Sequence, residues 1–412
     1  MAYLQVEGGR ALEGQVEIAG AKNAALPILF ATILVRGTTI LYRVPDIGDV
    51  RFAIEILTRM GARVTYLDTH TLSISTDALD PMSVPLGLTG YLRASSYLMG
   101  ACLGRFGKCV IPTTGGCDFG ARPLNWHHDI FTEMGAEGET QLCAPKGLRA
   151  IRHTFSSVSV GATINASLAA VGAEGTTILK GCAKEGHVRA LLQFLRQAGA
   201  CIRGIGTDEI VITGGVPLRG TRYTIIPDEI EAGTYLSACA ATGGRLTVLG
   251  ISPHALRPLT KHLGDMGCQI EEGVFSITCR RTGALGGTIV TTGPHPAFPT
   301  DLHPPLVAAM CRADTPSRLT ETIWQDRFQY TQELEKLGAN FSLHGDTIEV
   351  YPSELVAHDM TATDLRGGAA ALIGALCCKG VSRIDRAEIL SRGYESLAVK
   401  FSSLGASVRL YS

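Results

Sequence analysis

The sequence predicts an α/β protein of 412 residues built from six βαβαββ repeats. Three observations predict this class: a helix-ending glycine phrase that recurs at near-equal spacing, an apolar segment of helical length near the start, and alternating strand pairs that follow the glycines. A chain of this length exceeds a single hydrophobic core and indicates about two domains. Three repeats in each domain would account for all six.

The repeat is marked by a glycine and a small residue at the end of a helix-like segment. Successive glycines lie 74, 64, 68, 71 and 67 positions apart. Steps this regular are typical of a repeat architecture, and glycine suits the left-handed turn that ends many helices. The six phrases are Met60-Gly61-Ala62, Met134-Gly135-Ala136, Ala198-Gly199-Ala200, Met266-Gly267-Cys268, Leu337-Gly338-Ala339 and Leu404-Gly405-Ala406.

The first repeat shows the internal plan. Residues 24–34 are apolar nearly all round and predict a helix that is buried on every side. Residues 37–41 predict a strand, and residues 46–60 carry apolar side chains at helical spacing. Residues 63–67 and 71–74 alternate around a short turn and predict a hairpin.

Later repeats follow the same plan, with one interruption. The third repeat predicts strands at 175–179 and 209–212 around a helix that runs through Leu195, and the fifth ends in a strand at 347–350. In the second repeat, a segment at 112–125 rich in glycine and threonine separates the strand from the helix. A long loop inside a regular repeat is a candidate functional loop.

The composition and motifs argue against several classes of protein and of binding partner. The formal net charge of −1 argues against nucleic acid or an anionic membrane as the main partner. The longest apolar run, 24–35, is shorter than the roughly 20 residues that span a bilayer, and no segment resembles a signal peptide. The 12 cysteines are scattered without a C-x-x-C pair, which indicates reduced thiols in a cytoplasmic protein. No motif predicts a metal site.

Three phrases carry candidate chemistry, each with a structural alternative. Lys22 opens the first helix, where N–H groups and a cation favour an anion, unless it is a surface lysine. Cys117 lies between glycines five positions before Arg122 and is either a reactive thiol or an incidental turn residue. Asp301 follows a proline and is either a catalytic carboxylate or a helix N-cap. Three isolated arginines lie near the starts or ends of repeat elements: Arg93, Arg327 and Arg392. A salt bridge is the simplest interpretation of each.

Taken together, the phrases resemble the UDP-N-acetylglucosamine 1-carboxyvinyltransferase family along essentially the whole chain. The resemblance implies the enolpyruvyl transferase fold, a two-domain inside-out α/β barrel. Residues 1–20 and 229–412 would form the first domain and residues 21–228 the second. The matching phrases are Lys22-Asn23-Ala24-Ala25-Leu26-Pro27, Gly116-Cys117, Gly120-Ala121-Arg122-Pro123, Val158-Ser159-Val160-Gly161-Ala162-Thr163, Phe298-Pro299-Thr300-Asp301, Thr320-Glu321-Thr322-Ile323, Arg327-Phe328, Ala362-Thr363-Asp364-Leu365-Arg366 and Arg392-Gly393-Tyr394-Glu395.

The resemblance also implies a reaction. The enolpyruvyl group of phosphoenolpyruvate would move to the 3′-hydroxyl of UDP-N-acetylglucosamine with release of phosphate, the first committed step of peptidoglycan synthesis. No cofactor is implied, and the oligomeric state stays open. The implied catalytic residues are Cys117 as general acid, Asp301 as base, and the cations Lys22 and Arg392. The implied substrate-binding residues are Lys22, Asn23, Arg93, Arg122, Pro123, Leu124, Asn125, Trp126, Ser157, Val158, Ser159, Val160, Asp301, Ile323 and Arg327.

Several positions depart from the family pattern. Asn125 replaces an acid that contacts uridine, Ser157 replaces a frequent lysine, and 303–305 reads His-Pro-Pro where a Gln-Ala-Gln-like run is usual. The His-Pro-Pro run would alter the surface beside the base, and Gly367-Gly368 replaces a small Ala-Ser pair. The changes at Asn125, Ser157 and His303 leave open a divergent paralogue that uses another acceptor or only binds nucleotide sugar. A separate alternative is the shikimate-pathway enolpyruvyl transferase, against which stand the cysteine loop and the Lys22-Asn23 pair.

Overall fold

A computed structural model describes residues 2–112, 115 and 124–411. The chain divides into two units. Unit 1 contains residues 2–19 and 227–411, and unit 2 contains the described residues between 20 and 226. The predicted domain bounds lie one or two positions from these divisions.

The described residues contain 13 α-helices. They are α1 (Lys22–Ala31), α2 (Gly48–Arg59), α3 (Leu86–Thr89), α4 (Tyr97–Phe106), α5 (Asn125–Glu133), α6 (Val160–Gly172), α7 (Gly186–Gln197), α8 (Glu229–Thr242), α9 (Arg257–Asp265), α10 (His303–Met310), α11 (Thr331–Lys336), α12 (Leu365–Cys377) and α13 (Leu397–Ser403). Short 3₁₀ helices lie at Thr32–Leu34, Arg93–Ser96, Pro253–Leu256, Thr300–Leu302 and Ala387–Arg392.

The described strands number 24. They are β1 (Tyr3–Gly8), β2 (Leu12–Glu17), β3 (Val35–Arg36), β4 (Thr38–Tyr42), β5 (Arg63–Asp68), β6 (Thr71–Ser75), β7 (Lys108–Val110), β8 (Gln141–Cys143), β9 (Arg152–Thr154), β10 (Thr176–Lys180), β11 (Cys201–Arg203), β12 (Glu209–Thr213), β13 (Leu218–Arg219), β14 (Arg222–Thr224), β15 (Gly244–Leu249), β16 (Gln269–Glu272), β17 (Ser276–Arg281), β18 (Ile289–Thr291), β19 (Ser317–Thr320), β20 (Asn340–His344), β21 (Thr347–Tyr351), β22 (Met360–Thr361), β23 (Gly380–Asp385) and β24 (Ser407–Tyr411).

Five four-stranded sheets share one strand order, which confirms the predicted βαβαββ plan. In the third repeat, β9 runs parallel to β10, which pairs antiparallel with β12, which pairs antiparallel with β11. Helix α6 crosses between β9 and β10, and α7 leads from β10 into the β11–β12 hairpin. Within the described residues these sheets stay separate and do not close into one barrel.

The apolar helices lie inside and the sheets outside, as an inside-out architecture requires. In unit 2, α1 packs on α4 and α4 on α6, whereas α8, α10 and α12 pack against one another in unit 1. Every α1 residue from Ala24 to Ala31 is buried, as its all-round apolar pattern predicts. The six repeat glycines all have φ between 88° and 115°, where a side chain would be strained.

Strand β1 completes the last repeat rather than the first. It lies between β23 and β24, so that Gly8 pairs with Gly380 and Tyr3 with Tyr411. The rings of Tyr3 and Tyr411 stack at 4.9 Å. The start of the chain therefore belongs to the same unit as its end.

The second repeat has a reduced sheet, β7 paired with β8. The predicted loop follows β7 and leads into α5, but residues 113–114 and 116–123 lie outside the described residues. The 11 cysteines that the structure describes are free thiols. None of the helices it describes combines the length and the hydropathy needed to span a bilayer.

Glu231 of α8 is a buried carboxyl in unit 1. It accepts hydrogen bonds from Lys400 Nζ at 2.6 Å and from the Ala19 N–H at 2.8 Å. Burial raises the pKa of Glu231 to about 7, although Lys400 acts in the opposite direction. The folded protein therefore holds a proton at Glu231 at pH values where the unfolded chain has lost it.

This difference predicts that the free energy of unfolding falls as the pH rises from about 4.5 to about 7. Between pH 5 and pH 8 we expect the free energy of unfolding of the wild type to fall by roughly 2 to 3 kcal/mol more than that of Glu231→Gln. Each pH unit between the two pKa values contributes about 1.4 kcal/mol to this difference. Denaturant titration at both pH values measures this difference. Glu335→Gln, at an exposed position on α11, is the matched control. A wild-type-minus-variant difference that is flat with pH would contradict the assignment.

Candidate active site

In unit 2, the predicted binding residues lie where helices begin. Lys22 is the first residue of α1, Asn125 is the first of α5, and Val160 is the first of α6. Arg93 begins a 3₁₀ helix. Helix N-termini present free N–H groups and partial positive charge, so each of these places favours an anionic group.

Lys22 is held by a carboxylate. Its Nζ lies 3.0 Å from Asp49 Oδ2 on α2, and the Asp49 side chain is only 3% exposed. The Lys22 side chain is 16% exposed, so it is not a freely solvated surface lysine. Asn23 beside it is half-buried.

The starts of α5 and α6 are joined through His127. Asn165 Nδ2 on α6 donates to His127 Nδ1 at 2.7 Å, and its other partners are the Gly100 N–H and the Ser96 carbonyl. Burial, with Arg93 close by, lowers the pKa of His127 to about 4, so the imidazole is neutral. A Cβ on Gly161 would lie 3.2 Å from the His127 ring, a tight contact that a larger residue could make only if the ring shifted slightly.

The side chains around these two helix starts differ in exposure. Asn125 and Trp126 are exposed, and Leu124 is half-buried. Ser157 and Val158 are exposed just before α6, whereas Ser159 caps that helix by accepting the Ala162 N–H at 3.3 Å. The His127–Asn165 contact thus brings the 124–126 and 157–160 segments together. Arg93 joins them through its proximity to His127.

In unit 1, Asp301 is paired with two buried arginines. Arg327 Nη2 lies 2.8 Å from Asp301 Oδ1, and Arg366 Nη2 lies 3.3 Å from Oδ2. The arginine side chains are 2% and 3% exposed, whereas Asp301 is 27% exposed. Asp301 is therefore the one of these three charges that reaches solvent.

The predicted N-cap role belongs to Asp364, not to Asp301. Asp364 caps α12 by accepting from the backbone N–H groups of Arg366 and Gly367. Asp301 instead lies inside the 3₁₀ helix Thr300–Leu302, which Pro299 precedes. Although burial opposes the charge of Arg366, Tyr394 and Asp301 raise its pKa above the ordinary value.

The expected surface change at 303–305 is wrong. His303, Pro304 and Pro305 are all buried, because they open α10, a central helix of unit 1. The two prolines do occupy the first turn, where their missing N–H groups cost no intrahelical bond. Gly367 is also explained by packing, since a Cβ there would lie 2.9 Å from Tyr330 Cβ.

The remaining predicted residues are placed as follows. Arg392 is half-buried at the last position of a 3₁₀ helix, and Ile323 is half-buried after β19. Cys117, Arg122 and Pro123 lie outside the described residues.

Sequence reasoning gave no role to several polar residues near these positions: His127, Asn165, Glu321 and Arg366. Asn165 carried a usable signal, because it is a lone amide within the apolar helix α6, and a buried amide needs partners. Glu321 and Arg366 stood inside the matching phrases, but nothing in the sequence indicates what they contact.

Comparison with known proteins identifies the family of the chain. The family model of EPSP synthase (3-phosphoshikimate 1-carboxyvinyltransferase) matches residues 6–401. UDP-N-acetylglucosamine 1-carboxyvinyltransferase 3 of Caldanaerobacter subterraneus subsp. tengcongensis is 42% identical over 414 residues, covering 99% of each chain. UDP-N-acetylglucosamine 1-carboxyvinyltransferase 2 of Clostridium acetobutylicum is 40% identical over 416 residues, with the same coverage of both chains, 99%.

Two solved structures share the fold. The enolpyruvyl transferase NikO from Streptomyces tendae has a TM-score of 0.88 at 26% identity, covering 100% of this chain and 99% of that one. EPSP synthase from Acinetobacter baumannii has a TM-score of 0.76 at 18% identity over 100% of both chains, a likeness of fold alone. The resemblance found in the sequence is thereby confirmed: the chain belongs to the enolpyruvyl transferases of the EPSP synthase family, among the UDP-N-acetylglucosamine 1-carboxyvinyltransferases.

Proposed function

We propose that this protein transfers the enolpyruvyl group of phosphoenolpyruvate to the 3′-hydroxyl of UDP-N-acetylglucosamine and releases phosphate. The observation that carries the proposal is the 42% identity with a transferase of that name across 99% of both chains. The arrangement of helix N-termini and cations in unit 2 supports it, because both substrates are anionic. We place the reaction in the cytoplasm, as the first committed step of peptidoglycan synthesis.

The chemistry is an addition followed by an elimination. Cys117 protonates the methylene carbon of phosphoenolpyruvate while the sugar hydroxyl attacks the adjacent carbon and loses its proton to Asp301. The resulting tetrahedral ketal then loses phosphate, and the methyl carbon gives up a proton to restore the double bond. Lys22, Arg122 and Arg392 stabilise the negative charge of the phosphate and carboxylate groups.

The nucleotide sugar is assigned to Arg93, to the 122–126 and 157–160 segments, and to Ile323 and Arg327. In this assignment Arg327 acts through Asp301, because the arginine side chain is buried behind that carboxylate. The N–H groups at the starts of α5 and α6 supply donors for the diphosphate, in a region where Ser157 has no charge to offer.

A phosphate-release assay tests the proposal. We expect release only when phosphoenolpyruvate and UDP-N-acetylglucosamine are both present, and none with shikimate 3-phosphate as the acceptor. Mass spectrometry of the product should find the enolpyruvyl ether of the nucleotide sugar. Folded protein that releases no phosphate with UDP-N-acetylglucosamine would overturn the proposal.

The second candidate is the same transfer to another acceptor. It is favoured by exposed Asn125 and Ser157, which replace an acid and a lysine at the nucleotide-sugar segments. Calorimetry with UDP-N-acetylglucosamine separates the candidates, since a protein built for another acceptor should bind that sugar weakly or not at all. Turnover with UDP-N-acetylglucosamine at the rate of an ordinary transferase would exclude the second candidate.

A further inference from the structure

Glu321 is a fully buried carboxylate that follows β19 in unit 1, and each of its oxygens faces hydrogen-bond donors. Oε1 accepts from the Thr292 hydroxyl at 3.0 Å and from the backbone N–H groups of Ile323 at 2.7 Å and Trp324 at 3.1 Å. These bonds fix the turn that carries Ile323, one of the residues assigned to the nucleotide sugar. An amide at position 321 would turn an NH₂ group towards donors on one side or the other.

Oε2 of the same carboxylate connects two further groups. The Thr300 hydroxyl donates to it at 2.7 Å, and His303 Nδ1 lies 3.2 Å away. On the far side of the imidazole, the Tyr330 hydroxyl lies 2.7 Å from His303 Nε2. At the Thr300 end of this network, Arg327 Nη1 donates to Thr300 Oγ1 at 3.0 Å.

Burial and the surrounding hydrogen-bond donors indicate where the protons of this network lie. Burial by itself would raise the pKa of Glu321, but the bonds from His303, Thr300 and the Ile323 N–H outweigh it and lower the pKa to about 2. Burial lowers the pKa of His303, even though Glu321 favours its charged form, so the imidazole is neutral. A carboxylate only accepts, so His303 carries its proton on Nδ1 and accepts the Tyr330 proton at Nε2.

We propose that Glu321 is a positioning residue for both halves of the acceptor chemistry. Through Thr300 and Arg327 it orients the Asp301 carboxylate. Through the Ile323 N–H it holds the turn that contacts the nucleotide sugar. This inference rests on the proposed function and adds to it the residue that couples the base to the acceptor contact.

His303 and Tyr330 hold the Glu321 carboxylate in place through the His303 imidazole, and we call this pair of residues the lock. Their rings pack edge to face at 5.4 Å and are buried, so the imidazole has little freedom to turn. The Gln-Ala-Gln-like run usual in the family would place glutamine where His303 stands. A glutamine can also donate to Glu321 and accept from Tyr330, so the role can be kept with a different side chain.

Paired substitutions at His303 test the lock. His303→Leu removes both hydrogen bonds, and we expect kcat to fall about tenfold or more, the effect of leaving buried polar partners unpaired. His303→Gln should stay within about threefold of wild type, because it restores both bonds. His344→Leu, on exposed β20 in the same unit, is the matched control and should leave kcat unchanged. Equal kcat values for the leucine and glutamine variants would overturn the lock.

Glu321→Gln tests the coupling itself. We expect KM for UDP-N-acetylglucosamine to rise about tenfold and kcat to fall, while KM for phosphoenolpyruvate changes less than about twofold. Rates are normalised to the folded fraction from thermal melting, so that loss of folded protein is not counted as a fall in kcat. A merely structural defect would not change KM for one substrate alone. A KM for the nucleotide sugar that stays at the wild-type value would overturn the inference.

Failure of the proposed function gives a different result. Wild-type protein that neither releases phosphate nor binds UDP-N-acetylglucosamine in calorimetry would overturn both the function and the inference. An active wild type with His303→Leu and Glu321→Gln variants that retain full kcat and KM would overturn the inference alone.

Discussion

Replacing Cys117 with alanine is expected to abolish measurable phosphate release from phosphoenolpyruvate and UDP-N-acetylglucosamine. The methyl side chain has no proton for the methylene carbon, and loss of a general acid lowers the rate by roughly 10² to 10⁴. Calorimetry should find that UDP-N-acetylglucosamine still binds, since the thiol is assigned to the other substrate. The combination of intact binding and lost turnover would identify Cys117 as the acid.

Cys201 supplies the control for this experiment, because it is the exposed cysteine among those that the structure describes. Cys201→Ala should keep wild-type turnover. An epoxide analogue of phosphoenolpyruvate should alkylate Cys117 and inactivate the protein, as peptide mass spectrometry can show. A Cys117→Ala protein that retains turnover, or label confined to Cys201, would contradict the assignment.

Replacing Asp301 with asparagine is expected to reduce both the rate and the stability. The amide cannot take the hydroxyl proton, so kcat should fall by roughly 10² to 10⁴. It also removes the carboxylate that pairs with Arg327 and Arg366, whose side chains are 2% and 3% exposed. Removing one partner of a buried ion pair typically costs about 3 to 5 kcal/mol in the free energy of unfolding.

Denaturant titration and rates normalised to the folded fraction separate these two effects. Asp385→Asn is the matched control, since its partner is Arg383 and both side chains are more than 40% exposed. A surface pair of this kind contributes about 1 kcal/mol or less. An Asp301→Asn protein that unfolds like the control and turns over like wild type would refute the role of Asp301 as base.

The fold was predictable because its signals are local. An apolar helix, an alternating hairpin and a left-handed glycine at each repeat depend on neighbouring residues, and each occurs several times along the chain. The predicted hairpin at 63–67 and 71–74 matches β5 and β6 within one residue. The predicted helix at 46–60 is shorter in the structure, Gly48–Arg59, because capping geometry rather than hydrophobicity decides where a helix begins and ends.

The contacts behind the site were not predictable, because they join residues distant in sequence. Asn165 is 38 positions from His127, and Arg366 is 65 positions from Asp301. His303 shows the limit most clearly. Beside a proposed base, a histidine followed by two prolines reads as an altered surface, yet the chain turns this segment into a buried helix. Only the packing of α10 against α8 and α12 decides that.

The placement of β1 also bears on how the chain matures on the ribosome. Residues 20–226 emerge as one uninterrupted stretch, whereas β1 pairs with a strand that begins at Gly380. At about 5 to 20 residues per second, the first strand waits on the order of half a minute for its neighbours. Until then its apolar face, Leu4 and Val6, has no sheet to join, so the last repeat can assemble only after nearly the whole chain has been synthesised.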